Sequence, residues 1–247
     1  MAISDRKILL LGSNGMLGHM VKKYLEQYYE IETINHRWPS TDFKTSIIDS
    51  NADFIVNCIG AIPQRTKDFT INWELPAWLD NHFDGKIIHP STDCEMDEDA
   101  YGLSKKRAAD YIIESGKKTK MIKASIIGPE LNGSASMLYW FLSNEDHSEV
   151  NGYSNHMWNG ITTYSWAIFC KDLINNWDKY NTRTTLGSDC LSKYDMCKVF
   201  NKVYKRNIIV NSFQTPRLVD KCLNVDITLD NIEVQLNEMI EFYQLKN

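Results

Sequence analysis

Residues 6–18, RKILLLGSNGMLG, constrain the fold of this chain more than any other stretch. Four consecutive apolar residues, Ile8 to Leu11, suit a strand covered on both faces, because a strand with one wet face would alternate apolar and polar positions. Leu17, Met20, Val21, Leu25 and Tyr28 then recur at three- and four-residue steps, which predicts a helix over residues 16–28. Gly12, Gly15 and Gly18 stand between strand and helix in a GxxGxxG spacing. A strand that turns straight into a helix aims unpaired backbone N–H groups at one point, and glycines there let a pyrophosphate approach the backbone closely. The turn therefore predicts a dinucleotide site, with Gly12, Asn14, Gly15, Met16, Leu17 and Gly18 as its cofactor-facing residues.

Short apolar runs return at residues 31–34, 54–58, 86–89 and 121–127, with helical patterns at 71–82 and 101–115. Strands alternating with helices imply βαβ units and a mostly parallel, doubly wound α/β sheet. After about Gly128 the pattern loosens, with helices expected near MLYWFL and over 165–177, 193–204 and 228–244, and short strands near 184–186 and 208–210. The expected organisation is a dinucleotide-binding domain over residues 1–128. A smaller substrate-binding lobe follows over residues 129–247, with some of its segments returning to the sheet.

The formal charge of −5 argues against nonspecific nucleic-acid binding, so an anionic ligand must be held by a few local cations and backbone amides. No apolar run approaches the ~20 residues of a membrane-spanning helix, and the N-terminus lacks a signal-peptide pattern. These features predict a cytoplasmic protein with no membrane partner. The six cysteines, at 58, 94, 170, 190, 197 and 222, show no CxxC pairing, and free thiols are expected. His19, His36, His82, His89 and His156 lack metal spacing and are expected to be structural, with no metal site.

Dinucleotide folds that prefer NAD place an acid after the second strand to bind the ribose 2′-hydroxyl. Here that region reads INHRWP, with no carboxylate at Asn35, while Arg37 suits a 2′-phosphate. This favours NADPH over NADH; the competing reading is that Arg37 is a solvated loop cation. Farther on, STDCEMDEDAYGLSKK sets Tyr101 four residues before Lys105, on one face of a helix. A free phenol has a pKa near 10, and an adjacent ammonium is expected to bring it toward the working range for proton transfer. The EMDEDA acids read as a solvated loop.

The stretches GSNGMLG, NCIGAI, HPSTDC, YGLSK, KASIIGPEL, WNGITT, SDCLSKYDM and the arginine of TPRLVDKCL together resemble the extended short-chain dehydrogenase/reductase family, within it the dTDP-4-dehydrorhamnose reductase-like branch. The resemblance implies a Rossmann-type fold that reduces the C4 ketone of a nucleotide-linked 4-keto-6-deoxyhexose. It implies Tyr101 as proton donor, Lys105 holding the nicotinamide ribose and tuning Tyr101, and Thr92 bonding the substrate carbonyl. Asn57, Cys58, Gly60 and Ala61 would pass along the cofactor. Asp93, Cys94, Trp158, Asn159, Gly160 and Thr162 would line the nucleotide-sugar pocket, and Arg217 would hold the diphosphate. Relatives separate the threonine from the tyrosine by a longer loop than EMDEDA, which puts the accepted sugar in question. Two alternatives stay open: a combined 3,5-epimerase/4-reductase using Cys94, whose partner base is not evident beyond His147, and a non-catalytic NADP-binding regulatory subunit. Homodimer formation also stays open.

Overall fold

The computed structural model describes residues 4–115, 118–131 and 135–245. It divides into two compact units, Met1–Lys123 with Ala167–Thr184, and Ala124–Trp166 with Thr185–Asn247.

The first unit runs β1 (Ser4–Leu11), α1 (Met16–Leu25), β2 (Tyr29–Thr33), α2 (Thr41–Ile48), β3 (Phe54–Asn57), α3 (Ile71–His82), β4 (Lys86–Ser91), a 3-10 turn (Asp93–Met96), α4 (Ala100–Ser115) and β5 (Thr119–Lys123). Ile8 to Leu11 are all buried, as expected of a strand covered on both faces. β1 pairs in parallel with β2 on one side and β3 on the other, and β3–β4 and β4–β5 are parallel as well. One face of the sheet is filled by Leu9, Leu11 and Ile55 against Phe43 and Ile47 of α2 and Leu75 and Leu79 of α3. Helix α2 has no counterpart among the sequence expectations. Only Phe43 and Ile47 of its eight residues are buried, too few to print a periodicity, while its start is secured by Ser40, whose Oγ accepts from the Phe43 amide at 3.2 Å.

The second unit contains β6 (Ile126–Ile127), α5 (Met137–Leu142), β7 (Glu149–Tyr153), β8 (His156–Trp158), β9 (Ile161–Thr162), the start of α6 (Thr163–Asn175), most of β10 (Arg183–Gly187), β11 (Leu191–Ser192), α7 (Lys193–Val203), β12 (Ile209–Phe213), β13 (Val219–Lys221), β14 (Ile227–Thr228) and α8 (Ile232–Leu245). The seven-stranded sheet has the order β14-β10-β5-β4-β3-β1-β2. Beyond it, β8 is flanked by β11 and β13, β7 pairs with β12, and β6 with β9. The expected single strand over residues 121–127 is two, because the chain leaves β5 at Lys123 and Ile126 pairs with Ile161 of β9.

The expectation of six free thiols is corrected here: Cys190 and Cys222 form a disulfide, while Cys58, Cys94, Cys170 and Cys197 are free. Leu191 and Lys221 lie opposite Trp158 from the two sides of β8. β8 ends there, so the flanking segments converge just past it, across a spacing no CxxC motif announces. Among the described residues no helix is long and apolar enough to cross a membrane.

The first βα turn is where backbone packing is tightest. A Cβ on Gly18 would overlap the Gly12 carbonyl oxygen and stand 2.7 Å from its carbon, both rigid backbone atoms. Gly18→Ala is expected to lower stability by about 1–3 kcal/mol, read from urea denaturation; an unchanged midpoint would contradict this close approach.

Candidate functional site

In a doubly wound sheet, ligands bind in the crevice beyond the carboxyl ends of the strands, where the order reverses. Here the reversal falls between β1 and β3, since α1 leads to β2 on one side and α2 leads back to β3 on the other. Gly12 leaves β1 at that point with a φ of +76°, a left-handed conformation that glycine adopts without strain. A Cβ on it would sit 2.9 Å from the Cys58 carbonyl carbon and the Ile59 nitrogen, so the loops after β1 and β3 touch backbone to backbone. Gly15 caps α1 with no side-chain hydrogen bond, which leaves first-turn N–H groups available to an anion. Asn14 is exposed, Met16 half-buried, and Leu17 and Gly18 buried. The turn thus forms a cradle that fits a dinucleotide pyrophosphate.

On the other side of β1, Leu10 pairs with Thr33, so the segment after β2 leaves the sheet on the same edge as the glycine turn. Asn35 and Arg37 are both exposed there, and among the described residues no acid lies within salt-bridge range of Arg37.

The exit from β3 is organised from within. Asn57 is fully buried, its amide nitrogen 3.2 Å from His89 Nδ1 and its oxygen accepting from the Ile59 amide at 3.1 Å. Its side chain shapes the loop and is already spent on protein partners. Asn72 of α3 clamps the next residues: its Oδ1 accepts from the Ala61 amide at 2.7 Å, and its Nδ2 donates to the Ala61 carbonyl and to Ser104 Oγ. A Cβ on Gly60 would stand 3.3 Å from Lys105 Nζ and 3.4 Å from Asn72 Oδ1. The ammonium of Lys105 therefore lies against the loop that touches Gly12. No motif in the sequence pointed to Asn72, and Ser104 lies within YGLSK without a role assigned to it there.

Thr92 follows β4. Its Oγ1 accepts from the Cys94 amide at 3.2 Å, capping the 3-10 turn, and donates to Asp93 Oδ1 at 3.0 Å. That turn packs on the first turn of α4, where a Cβ on Gly102 would meet the Cys94 and Asp97 carbonyls at 2.5 Å. Tyr101 lies one turn before Lys105 on α4, half-buried and edge-on to Phe69 at 5.6 Å. The site is built from the ends of β1, β3 and β4 and the start of α4, all in the first unit.

Its charge state differs from expectation in two respects. Lys105 was expected to draw the Tyr101 phenol down; instead burial, followed by Cys94, Asp93, Asp99 and Asp97, pushes it well above its usual value. Burial of the ring does most of this, and the acids of the short connection between Thr92 and Tyr101 add to it. Lys105 itself is lowered to about 8, chiefly by burial, with Glu95 and Cys94 opposing. The acids of EMDEDA are likewise not all solvated. Glu95 is buried and pairs with Lys123 Nζ at 2.7 Å. The turn after β4 folds it back under the sheet end, while Met96 beside it is exposed.

In the second unit, the residues expected to touch the sugar are engaged internally. The Trp158 indole is 6% exposed and donates to Ser125 Oγ at 2.6 Å, and a Cβ on Gly160 would strike its ring. Asn159 exchanges hydrogen bonds with both backbone groups of Leu223, and Thr162 is fully buried against Ser165 and Gln235. The Trp158 indole and the Thr162 hydroxyl thus each have a partner within the second unit. Arg217, by contrast, is exposed with no acid in salt-bridge range among the described residues.

His89 makes a pH-dependent contribution that can be measured. Burial, aided by Lys105, lowers it from 6.5 to about 3, so between those values the unfolded chain binds the proton that the folded chain refuses. The corresponding stability is intact above about pH 6.5 and is lost as pH falls toward 3. In urea melts at pH 7 and pH 4, His89→Gln is expected to lose less stability on acidification than the parent; an equal loss would refute the assignment.

No protein-family model matches the chain, and no curated protein matches it by sequence. Solved structures do. A dTDP-4-dehydrorhamnose reductase from Clostridium acetobutylicum superposes with a TM-score of 0.71 at 18% identity, over 96% of this chain and 99% of that one. A dTDP-4-dehydrorhamnose reductase from Bacillus anthracis, in complex with NADP, gives 0.72 at 13% identity over 99% and 100%. A GDP-mannoheptose C4 reductase from Campylobacter jejuni with NADP bound gives 0.67 at 12% over 99% and 100%. The chain has the Rossmann-like α/β fold of these sugar-nucleotide reductases along nearly its whole length.

Proposed function

We propose that this protein is an NADPH-dependent reductase acting on the C4 ketone of a nucleotide-linked 4-keto-6-deoxyhexose, in cytoplasmic deoxysugar or polysaccharide synthesis. The observation that carries the reading is the Lys105 ammonium set against Gly60, beside the Gly12 turn, on the same helix as Tyr101 and one turn beyond it. The fold shared with NADP-binding sugar-nucleotide reductases supports it.

In this reading the uncapped first turn of α1 and Gly12 receive the pyrophosphate, and Arg37 meets the ribose 2′-phosphate. NADPH, when bound, supplies the hydride. The oxygen at C4 gains negative charge as the hydride arrives and needs a donor at that moment. Tyr101, kept protonated by burial and by the acids near it, gives its proton there. Lys105 holds the ribose and stabilises the phenolate left behind. Thr92 turns its hydroxyl from Asp93 to the substrate oxygen. Arg217 holds the diphosphate, a role a free guanidinium suits. The epimerase-reductase alternative keeps a half-buried free thiol at Cys94 as its supporting observation.

Purified protein offered a panel of nucleotide 4-ketosugars should oxidise NADPH, followed by absorbance; no turnover with any of them would defeat the assignment. Tyr101→Phe should retain NADPH binding and lose about 10²–10⁴ in kcat, whereas undiminished turnover would remove Tyr101 from the chemistry. Arg37→Ala should weaken NADPH much more than NADH, and equal effects would return Arg37 to the solvated loop. Loss of epimerisation with reduction intact in Cys94→Ala would select the alternative.

A further inference from the structure

The buried acid under the site calls for an account, since an ionised carboxylate sheltered from water is costly unless it is paired. Glu95 is 6% exposed. It accepts a hydrogen bond from Ser91 Oγ, pairs with Lys123 Nζ at 2.7 Å, and has Arg183 Nη1 at 4.0 Å. Ser91 and Lys123 are register partners at the carboxyl ends of β4 and β5. One side chain thus spans two strand ends and the 3-10 turn.

We propose that Glu95 is a positioning residue: its carboxylate, held by Ser91 and Lys123, fastens the short connection between Thr92 and Tyr101 onto the ends of β4 and β5 and sits on the turn packed against the helix that carries Lys105. Three links carry this. Ser91 directly precedes Thr92, so the Glu95 bond to its hydroxyl ties down the chain where the threonine emerges. The 3-10 turn holding Glu95 is closed by the Asp97 amide, which donates to the Cys94 carbonyl at 3.0 Å, and it packs on α4 where Gly102 leaves no room for a side chain between turn and helix. The groups that act on Lys105 are Glu95 and Cys94 from the turn and His89 from β4, with Asn72 of α3 nearby, and Glu95 opposes the burial that would discharge the ammonium.

The catalytic consequence rests on the reductase reading; the electrostatic tie does not. The test titrates Lys105 in the full-length protein by competitive labelling with trace acetic anhydride, read at that residue by mass spectrometry across pH. Two variants break the same ion pair from opposite sides. Glu95→Gln should lower the apparent pKa of Lys105 by about one unit, because a negative charge is removed. Lys123→Met should raise it, because a positive charge is removed and the charge of Glu95 remains. A role confined to stability would move both in one direction or neither, and that result overturns the proposal; if one variant fails to fold, the sign of the other's shift decides alone. With an active sugar substrate, Glu95→Gln should also move the alkaline limb of kcat downward, costing about five-fold at pH 8 with little change in KM for the sugar. Opposite shifts without any wild-type turnover would sink the reductase reading and leave the tie standing, whereas turnover with parallel or absent shifts would do the reverse.

Discussion

The close approach of the loop after β1 to the loop after β3 governs the arrangement of the first unit. Gly12 can meet Cys58 only because it lacks a Cβ and accepts a positive φ, and Gly18 can pack under Gly12 for the same steric reason. Those contacts bring α1 off the sheet at the angle that points its uncapped amides into the crevice at the strand reversal. Gly60, two residues past Cys58, then becomes the surface on which Lys105 rests. The glycine turn and the pair on α4 are therefore joined through one continuous piece of backbone.

Charge in this region is arranged against solvation. Lys105 stays an ammonium near neutrality despite burial because Glu95 and Cys94 oppose the desolvation, whereas His89, with the same ammonium nearby and no acid to help, stays neutral. Burial, with the acids on the connection before α4 adding to it, raises Tyr101. Near neutrality both the Tyr101 phenol and the Lys105 amine are therefore protonated for the most part.

Legibility followed locality. The strand over Ile8–Leu11, the helices over Ile71–His82 and on from Ala100, and the glycine turn were readable because each announces itself through periodicity or spacing within a few residues. Helix α2 was hidden by having only two buried side chains. Asn72, Ser104 and Glu95 were missed because their importance lies in what they meet from other elements, and an isolated asparagine or glutamate carries no mark of that. Trp158 shows the same limit: its neighbours along the chain do not announce that its indole bonds Ser125.

By itself the sequence determined the α/β class, the cradle at Gly12 to Gly18 and the one-turn separation of Tyr101 from Lys105, since these follow from short-range sterics and helical pitch. Only the tertiary structure decided that the phenol is raised and not lowered, that Glu95 is buried with Lys123, and that Cys190 joins Cys222. Each of those depends on burial and on partners distant along the chain, which fix local dielectric and distance and which no local pattern of residues encodes.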